Sequence, residues 1–163
     1  MNKMSGNTVA FILSLTVEDK PGVMERISRI FARRSINIDS ITVGRISPGV
    51  SRIILSFKTE PDEARFVSSL LRKMFLVKSV DRLDPDNSVT RELAIVKFKT
   101  PDREAKLQVL KVLDEMGARI LYTELSYIIA ELTGSPSRID EVLSKLSSYA
   151  FEFARSGIAA INL

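Results

Sequence analysis

Apolar and polar positions alternate along this chain in a way that predicts short strands interleaved with helices. Over residues 8–17 the period is two, with Phe11, Leu13, Leu15 and Val17 on one face, which predicts a half-buried strand. Over residues 22–34 the period lengthens. Val23, Ile27, Ile30 and Phe31 fall at i, i+4, i+7 and i+8, the single buried stripe of a helix. Residues 36–46 and 50–57 predict two strands joined by the turn Ser47-Pro48-Gly49, the second carrying Ile53, Leu55 and Phe57 on one face. Pro61 opens a second helix, at a position where its missing N–H is not needed, with Val67, Leu70, Leu71 and Met74 as its stripe. Residues 76–83 return as a strand.

The resulting order, β-α-β-β-α-β, is the ferredoxin-like arrangement of an antiparallel sheet with two helices on one face. Asp84-Pro85-Asp86-Asn87-Ser88 then breaks the pattern and reads as a linker. The second half repeats the order more loosely. Strands are expected over 89–99, 118–124, 127–133 and 148–155. One helix is expected over 102–116, with Leu110, Leu113 and Met116 inward and Gly117 as its C-terminal cap. Another follows Gly134-Ser135-Pro136 and carries Ile139, Val142, Leu143 and Leu146. The expectation is an α+β protein of two ferredoxin-like βαββαβ domains, residues 8–84 and 89–163. One continuous eight-stranded sheet fits the same pattern.

Candidate chemistry sits in the first half. Asp19-Lys20-Pro21-Gly22-Val23 links the first strand to the first helix, and Ile36-Asn37-Ile38 opens the second strand. Gly22 lacks a side chain, so the backbone N–H groups of the helix start are open to a small anion, which the helix N-terminus favours. Asn37 offers both a donor and an acceptor. Together they are suited to the carboxylate and ammonium of a free amino acid, with Val23, Ile36 and Ile38 supplying or supporting an apolar wall. As a plain connection the same turn needs no ligand. The second half lacks the arrangement: Thr100-Pro101-Asp102 replaces Lys20-Pro21-Gly22, and Arg119 replaces Asn37. Ser35 ends the first helix where glycine is easier; a positive φ there costs roughly 1 kcal/mol.

Composition narrows the rest. With no Cys and no His among 163 residues, disulfides, Cys/His zinc sites and Ser–His or Cys–His catalytic pairs are excluded. Acid–base chemistry is left to Asp, Glu, Lys and Tyr; a small enzyme using Asp19 or Lys20 stays open on residues alone. Asp84, Asp86 and Asn87 lack the glycine and later glutamate of a calcium loop. The net charge of +4 is mild, and its main cluster is Arg26, Arg29, Arg33 and Arg34, a solvated or subunit-contacting face rather than a phosphate site. The sheet position that stacks bases in RNA-binding modules holds one aromatic, Phe57, so no nucleic acid is expected. No apolar run is long enough to span a bilayer, and residues 1–6 lead into a strand rather than a signal-peptide core. The expectation is a cytoplasmic protein without membrane attachment.

At these residues the chain resembles the ACT-domain family, and in particular the regulatory (small) subunit of acetolactate synthase. The resemblance rests on Leu15-Thr16-Val17-Glu18-Asp19-Lys20-Pro21-Gly22-Val23 and on the run from Ile30 through Arg33-Arg34-Ser35-Ile36-Asn37-Ile38-Asp39-Ser40 to Gly44. Ser51-Arg52, Val89-Thr90-Arg91-Glu92-Leu93, Glu131-Leu132-Thr133-Gly134-Ser135 and Ala154-Arg155-Ser156-Gly157-Ile158 extend it over nearly the whole chain. Where that family carries Gly-Tyr or Gly-Phe before the asparagine, this chain has Ser35-Ile36. The resemblance implies a first domain of ACT type and a non-catalytic subunit that binds no cofactor itself. Thiamine diphosphate, Mg and FAD are expected on a separate catalytic (large) subunit, which this chain activates and makes sensitive to valine or another branched-chain amino acid. The effector is expected at Asp19, Lys20, Pro21, Gly22, Val23, Ile36, Asn37 and Ile38, between the first domains of a homodimer whose sheets join. A free-standing ACT-type sensor controlling transcription or another enzyme is the alternative.

Overall fold

The computed structural model describes residues 8–163; residues 1–6, read above as leading into the first strand, lie outside the described residues. In chain order the first half forms β1 (Val9–Glu18), α1 (Val23–Arg33), β2 (Ile38–Ser47), β3 (Val50–Thr59), α2 (Pro61–Arg72) and β4 (Val77–Leu83). Its sheet has the order β2-β3-β1-β4 with every neighbour antiparallel. After a 3-10 turn at Pro85–Asn87 come β5 (Ser88–Lys99), α3 (Arg103–Glu115), β6 (Arg119–Thr123), β7 (Tyr127–Gly134), α4 (Pro136–Lys145), β8 (Ala150–Arg155) and β9 (Ala159–Asn162). The second sheet has the order β6-β7-β5-β8, and β9 also pairs with β5. There are two sheets, then, and not one of eight strands.

The chain divides into two compact units. The first reaches Val89 and regains Ile158–Leu163; the second is Thr90–Gly157. The stretch read from the sequence as 89–163 therefore divides at Gly157. The last strand, β9, had no counterpart in the sequence reading, because Ala-Ala-Ile-Asn is too short to show a period. Leu163, just beyond it, donates its N–H to the Asn87 carbonyl at 3.1 Å.

Each unit has its own core. In the first, Phe11, Leu13, Leu15 and Val17 of β1 and Ile53, Leu55 and Phe57 of β3 are buried under Val23, Ile27 and Phe31 of α1 and Ala64, Val67 and Leu71 of α2. Phe31 meets Phe57 edge-on at 5.0 Å, and Phe11 stacks beside Phe57 at 5.8 Å. Truncating such a buried ring to alanine costs about 3–5 kcal/mol. In the second core, Val96, Phe98, Ile128 and Ala130 lie against Val109, Leu113, Ile139 and Val142. Leu110 and Met116, expected inward, are half-buried at its margin; the buried stripe of α3 is Ala105, Val109 and Leu113.

Both first helices end in the same way. The Ile36 N–H donates to the Phe31 carbonyl at 3.0 Å and the Ser35 N–H to Ala32 at 3.1 Å. In the second unit the Ala118 N–H donates to Leu113 at 2.8 Å and the Gly117 N–H to Asp114 at 3.0 Å. This is the Schellman pattern, which requires a left-handed residue just past the helix. Gly117 takes it at φ 66°, and Ser35 takes it at φ 54° despite its side chain. Ile36 and Phe31 both belong to the core, supplying the apolar contact that accompanies the motif. Asn37 plays no part in the cap.

Ser35→Gly is therefore expected to stabilise the first unit by about 1 kcal/mol, and Gly117→Ala to destabilise the second by a similar amount. In scanning calorimetry these changes should move the Tm by roughly 2–4 °C in opposite directions. A lower Tm for Ser35→Gly would show that residue 35 carries no strain.

Candidate functional site

The turn after β1 is held from three directions by groups far away in sequence. The Glu18 N–H donates to the Leu76 carbonyl at 2.9 Å, just before β4. The Asp19 N–H donates to the Gly49 carbonyl at 2.9 Å, in the β2–β3 hairpin. The Asp19 carboxylate accepts from Arg45 of β2, at 2.9 Å from Nε and 2.7 Å from Nη2. Lys20 reaches back to Glu18 at 2.7 Å, and this hydrogen-bonded ammonium holds the Glu18 carboxyl below its usual range. Asp19 and Lys20 thus have local partners that shape the turn. Arg45 was not singled out by the sequence, since it lies 26 positions from Asp19.

Gly22 is the N-cap of α1, with φ 84° and ψ −5°, and no side chain caps the helix. A Cβ placed on it would meet nothing within 4 Å. The first N–H groups of α1 have no intrahelical acceptor, and the approach over Gly22 is open. The equivalent helix of the second unit is closed by its own sequence: Asp102 accepts from the Ala105 N–H at 2.8 Å. Only the first unit presents an open helix start at this turn.

Of the remaining candidates, Val23 and Ile36 are buried in the core, and Ile38 packs against it half-buried. None of the three is an open surface: Val23 follows the turn, whereas Ile36 and Ile38 flank Asn37. Asn37 is exposed, and its side chain has no hydrogen-bond partner among the described residues. The turn and Asn37 are not brought together within one chain. Glu18 sits opposite Val50 of β3, whereas Ile38 sits opposite Phe57, so the two features lie at opposite ends of the sheet, roughly 23 Å apart at about 3.3 Å per residue.

The edge between them is unfinished. Among the described residues β2 has a neighbour on one side only. Its Ile41 and Val43 stand opposite the fully buried Leu55 and Ile53, on the helix-covered face, yet remain 37% and 51% exposed. An exposed apolar edge of this kind favours pairing with another strand. Among the described residues no cluster of three or more acidic side chains could hold a metal, and no helix is long and apolar enough to cross a membrane.

An antiparallel sheet under two helices, with a Pro-Gly turn at the start of the first helix, fits a domain of the ACT class. Residues 13–77 match the acetolactate synthase (AHAS) small subunit-like ACT domain, and residues 91–163 match the small subunit of acetolactate synthase. The acetolactate synthase small subunit of Mycolicibacterium smegmatis is 32% identical, covering 98% of this chain and 94% of its own. The probable small subunit of Methanothermobacter thermautotrophicus is 31% identical over 93% of this chain and 91% of its own. The crystal structure of the small subunit from Thermotoga maritima superposes with a TM-score of 0.85 at 31% identity, covering 95% and 98% of the two chains. The chain belongs to the acetolactate synthase small-subunit family, whose role is regulatory.

Because the space above Gly22 is empty, a side chain there costs only backbone strain. Gly22→Asp is expected to fold with a loss of about 1 kcal/mol in urea denaturation. A loss of several kcal/mol would mean that the turn is packed in a way the open geometry does not show.

Proposed function

We propose that this chain is the non-catalytic partner of a thiamine-diphosphate-dependent acetolactate synthase catalytic subunit in the cytoplasm. It raises that subunit's activity and makes it sensitive to valine or another branched-chain amino acid. The cofactors, thiamine diphosphate, Mg and FAD, belong to the catalytic subunit. The observation that carries this reading is the family membership over both halves, joined to an open helix start at Gly22 that the second unit lacks.

The effector site is shared between two chains. β2 edges pairing antiparallel about a two-fold axis set the start of one β2 beside the end of the other. That places the partner's Asn37 at the Asp19–Gly22 end, where a single chain has none. The carboxylate of the amino acid meets the N–H groups of the α1 start, Asn37 from the partner binds its polar end, and Ile41 and Val43 become covered. A homodimer is then a condition of sensing.

Activity assays of the catalytic subunit with and without this chain test the first statement; activation with no turnover by this chain alone is the expected outcome. Equal rates would count decisively against it. The shared site makes a sharper prediction. Gly22→Asp and Asn37→Ala should each weaken effector binding by roughly ten- to a hundredfold, the loss expected for a hydrogen bond to a charged group. A mixed dimer of the two variants contains one site with both changes and one with neither. Calorimetry should therefore recover about half of the wild-type sites at wild-type affinity. A site built within one chain would leave the mixed dimer with no intact site.

A further inference from the structure

A second feature of the first unit lies on the flank of α1. Arg26, Arg29 and Arg33 recur there at helical spacing, and with Ile30, Leu76 and Phe75 they line an open groove of about 240 Å³. Their charges are only partly neutralised. Arg29 is paired with Glu25, but Arg26 and Arg33 form no ion pair among the described residues. The neighbouring Arg34 is committed elsewhere, bound to Glu63 and lying 4.1 Å over the Phe66 ring. Phe75, in the loop between α2 and β4, is 87% exposed although Leu76 and Val77 beside it are buried. A ring this open, beside unpaired guanidinium groups, joins two of the side-chain types that most often anchor protein interfaces.

The spacing favours an extended ligand over a small anion. Arg26 and Arg33 are separated by about 10 Å along the helix, wider than one phosphate can bridge. The apolar floor of Ile30 and Leu76 lies beside them rather than beneath an anion-sized cup. A segment with several carboxylates and one apolar anchor matches both properties. We propose that this groove docks such an acidic segment of the catalytic subunit, its apolar residue against Phe75 and its carboxylates on Arg26 and Arg33. The proposal rests on the reading of this chain as that subunit's partner.

The position of the groove suits this role. β4 is the edge opposite β2, so docking here leaves the dimer edge free. Leu76, which lines the groove, accepts the Glu18 N–H on its carbonyl at 2.9 Å, at the root of the proposed effector turn. α1 itself begins at Gly22 and carries the arginines on its flank. One helix and one hydrogen bond thus join the effector turn to the docking groove.

The test uses the full chain carrying Phe75→Ala, or Arg26→Glu with Arg33→Glu, titrated into the catalytic subunit at low and high salt. Both sets of changes are on exposed side chains, and circular dichroism checks the fold. At least tenfold more of either variant should be needed for half-maximal activation, and the arginine variant should lose most of the salt dependence. Light scattering and calorimetry should show the dimer and effector binding unchanged. Wild-type half-saturation by both variants overturns the groove and leaves the proposed function standing, because the wild-type chain still activates. A wild-type chain that fails to bind the catalytic subunit overturns both. Unchanged partner affinity with loss of thermal stabilisation by ATP or inorganic phosphate assigns the groove to a small anion and also overturns docking.

Discussion

The proposed sensing site depends on the pairing of β3 with both β1 and β2. Each pair is antiparallel, so β1 and β2 run in the same direction on either side of β3. The chain leaves β1 at one end of the sheet and enters β2 at the other. No rotamer change or loop adjustment closes a gap of roughly 23 Å. In the proposed site a single chain carries two half-sites, and the exposed β2 edge between them would supply the means of joining a second copy. A ligand that binds only the paired state stabilises that pairing by mass action, so effector concentration and dimer stability are linked.

The elements themselves were legible in the sequence because their signals are local. The period-two run ending at Val17 and the i, i+4, i+7, i+8 stripe of α1 each report burial of one face, and both faces are buried as expected. Boundaries moved by one or two residues, and the α3 stripe rotated from Leu110 to Val109, because a period locates a face only to within its neighbours. What was not legible depends on contacts between distant positions. Nothing local to Asp19 announces Arg45, and nothing near Asn37 says which end of the sheet it occupies. β9 was missed for the opposite reason: four residues are too few to carry a pattern.

The two units share one strand order and one helix-ending motif, so their differences isolate what the first unit adds. Asp102 closes its helix start with its own carboxylate, and Gly117 relaxes its helix end. At the matching positions the first unit has Gly22, which leaves the start open, and Ser35, which is held at positive φ. Glycine in place of a capping side chain costs roughly a few tenths of a kcal/mol, and a strained residue about 1 kcal/mol. The first unit thus carries two small, localised losses of stability on either end of α1. Both flank candidate site residues, Gly22 at the start and Asn37 two positions after Ser35. Loss of local stability at a binding element is the usual companion of function, since a site optimised only for folding would be capped and relaxed.

If both proposed sites hold, α1 is the element they share. An anion at its start interacts with uncapped N–H groups and with the helix dipole, an effect of about 0.3–1 kcal/mol at a surface and up to about 2 kcal/mol when partly buried. Regulation of this kind typically rests on coupling free energies of about 1–3 kcal/mol, so the available interaction is of the right size without any large rearrangement. The helix need only have two positions that differ in how well they present Gly22 to the effector and the arginine flank to a partner. Reciprocity then follows from linkage. Whatever factor the effector removes from the affinity for the catalytic subunit, docking must remove from the affinity for the effector. Under the proposed function, an effector that weakens docking would bind the partnered chain less tightly than the free one by the same factor.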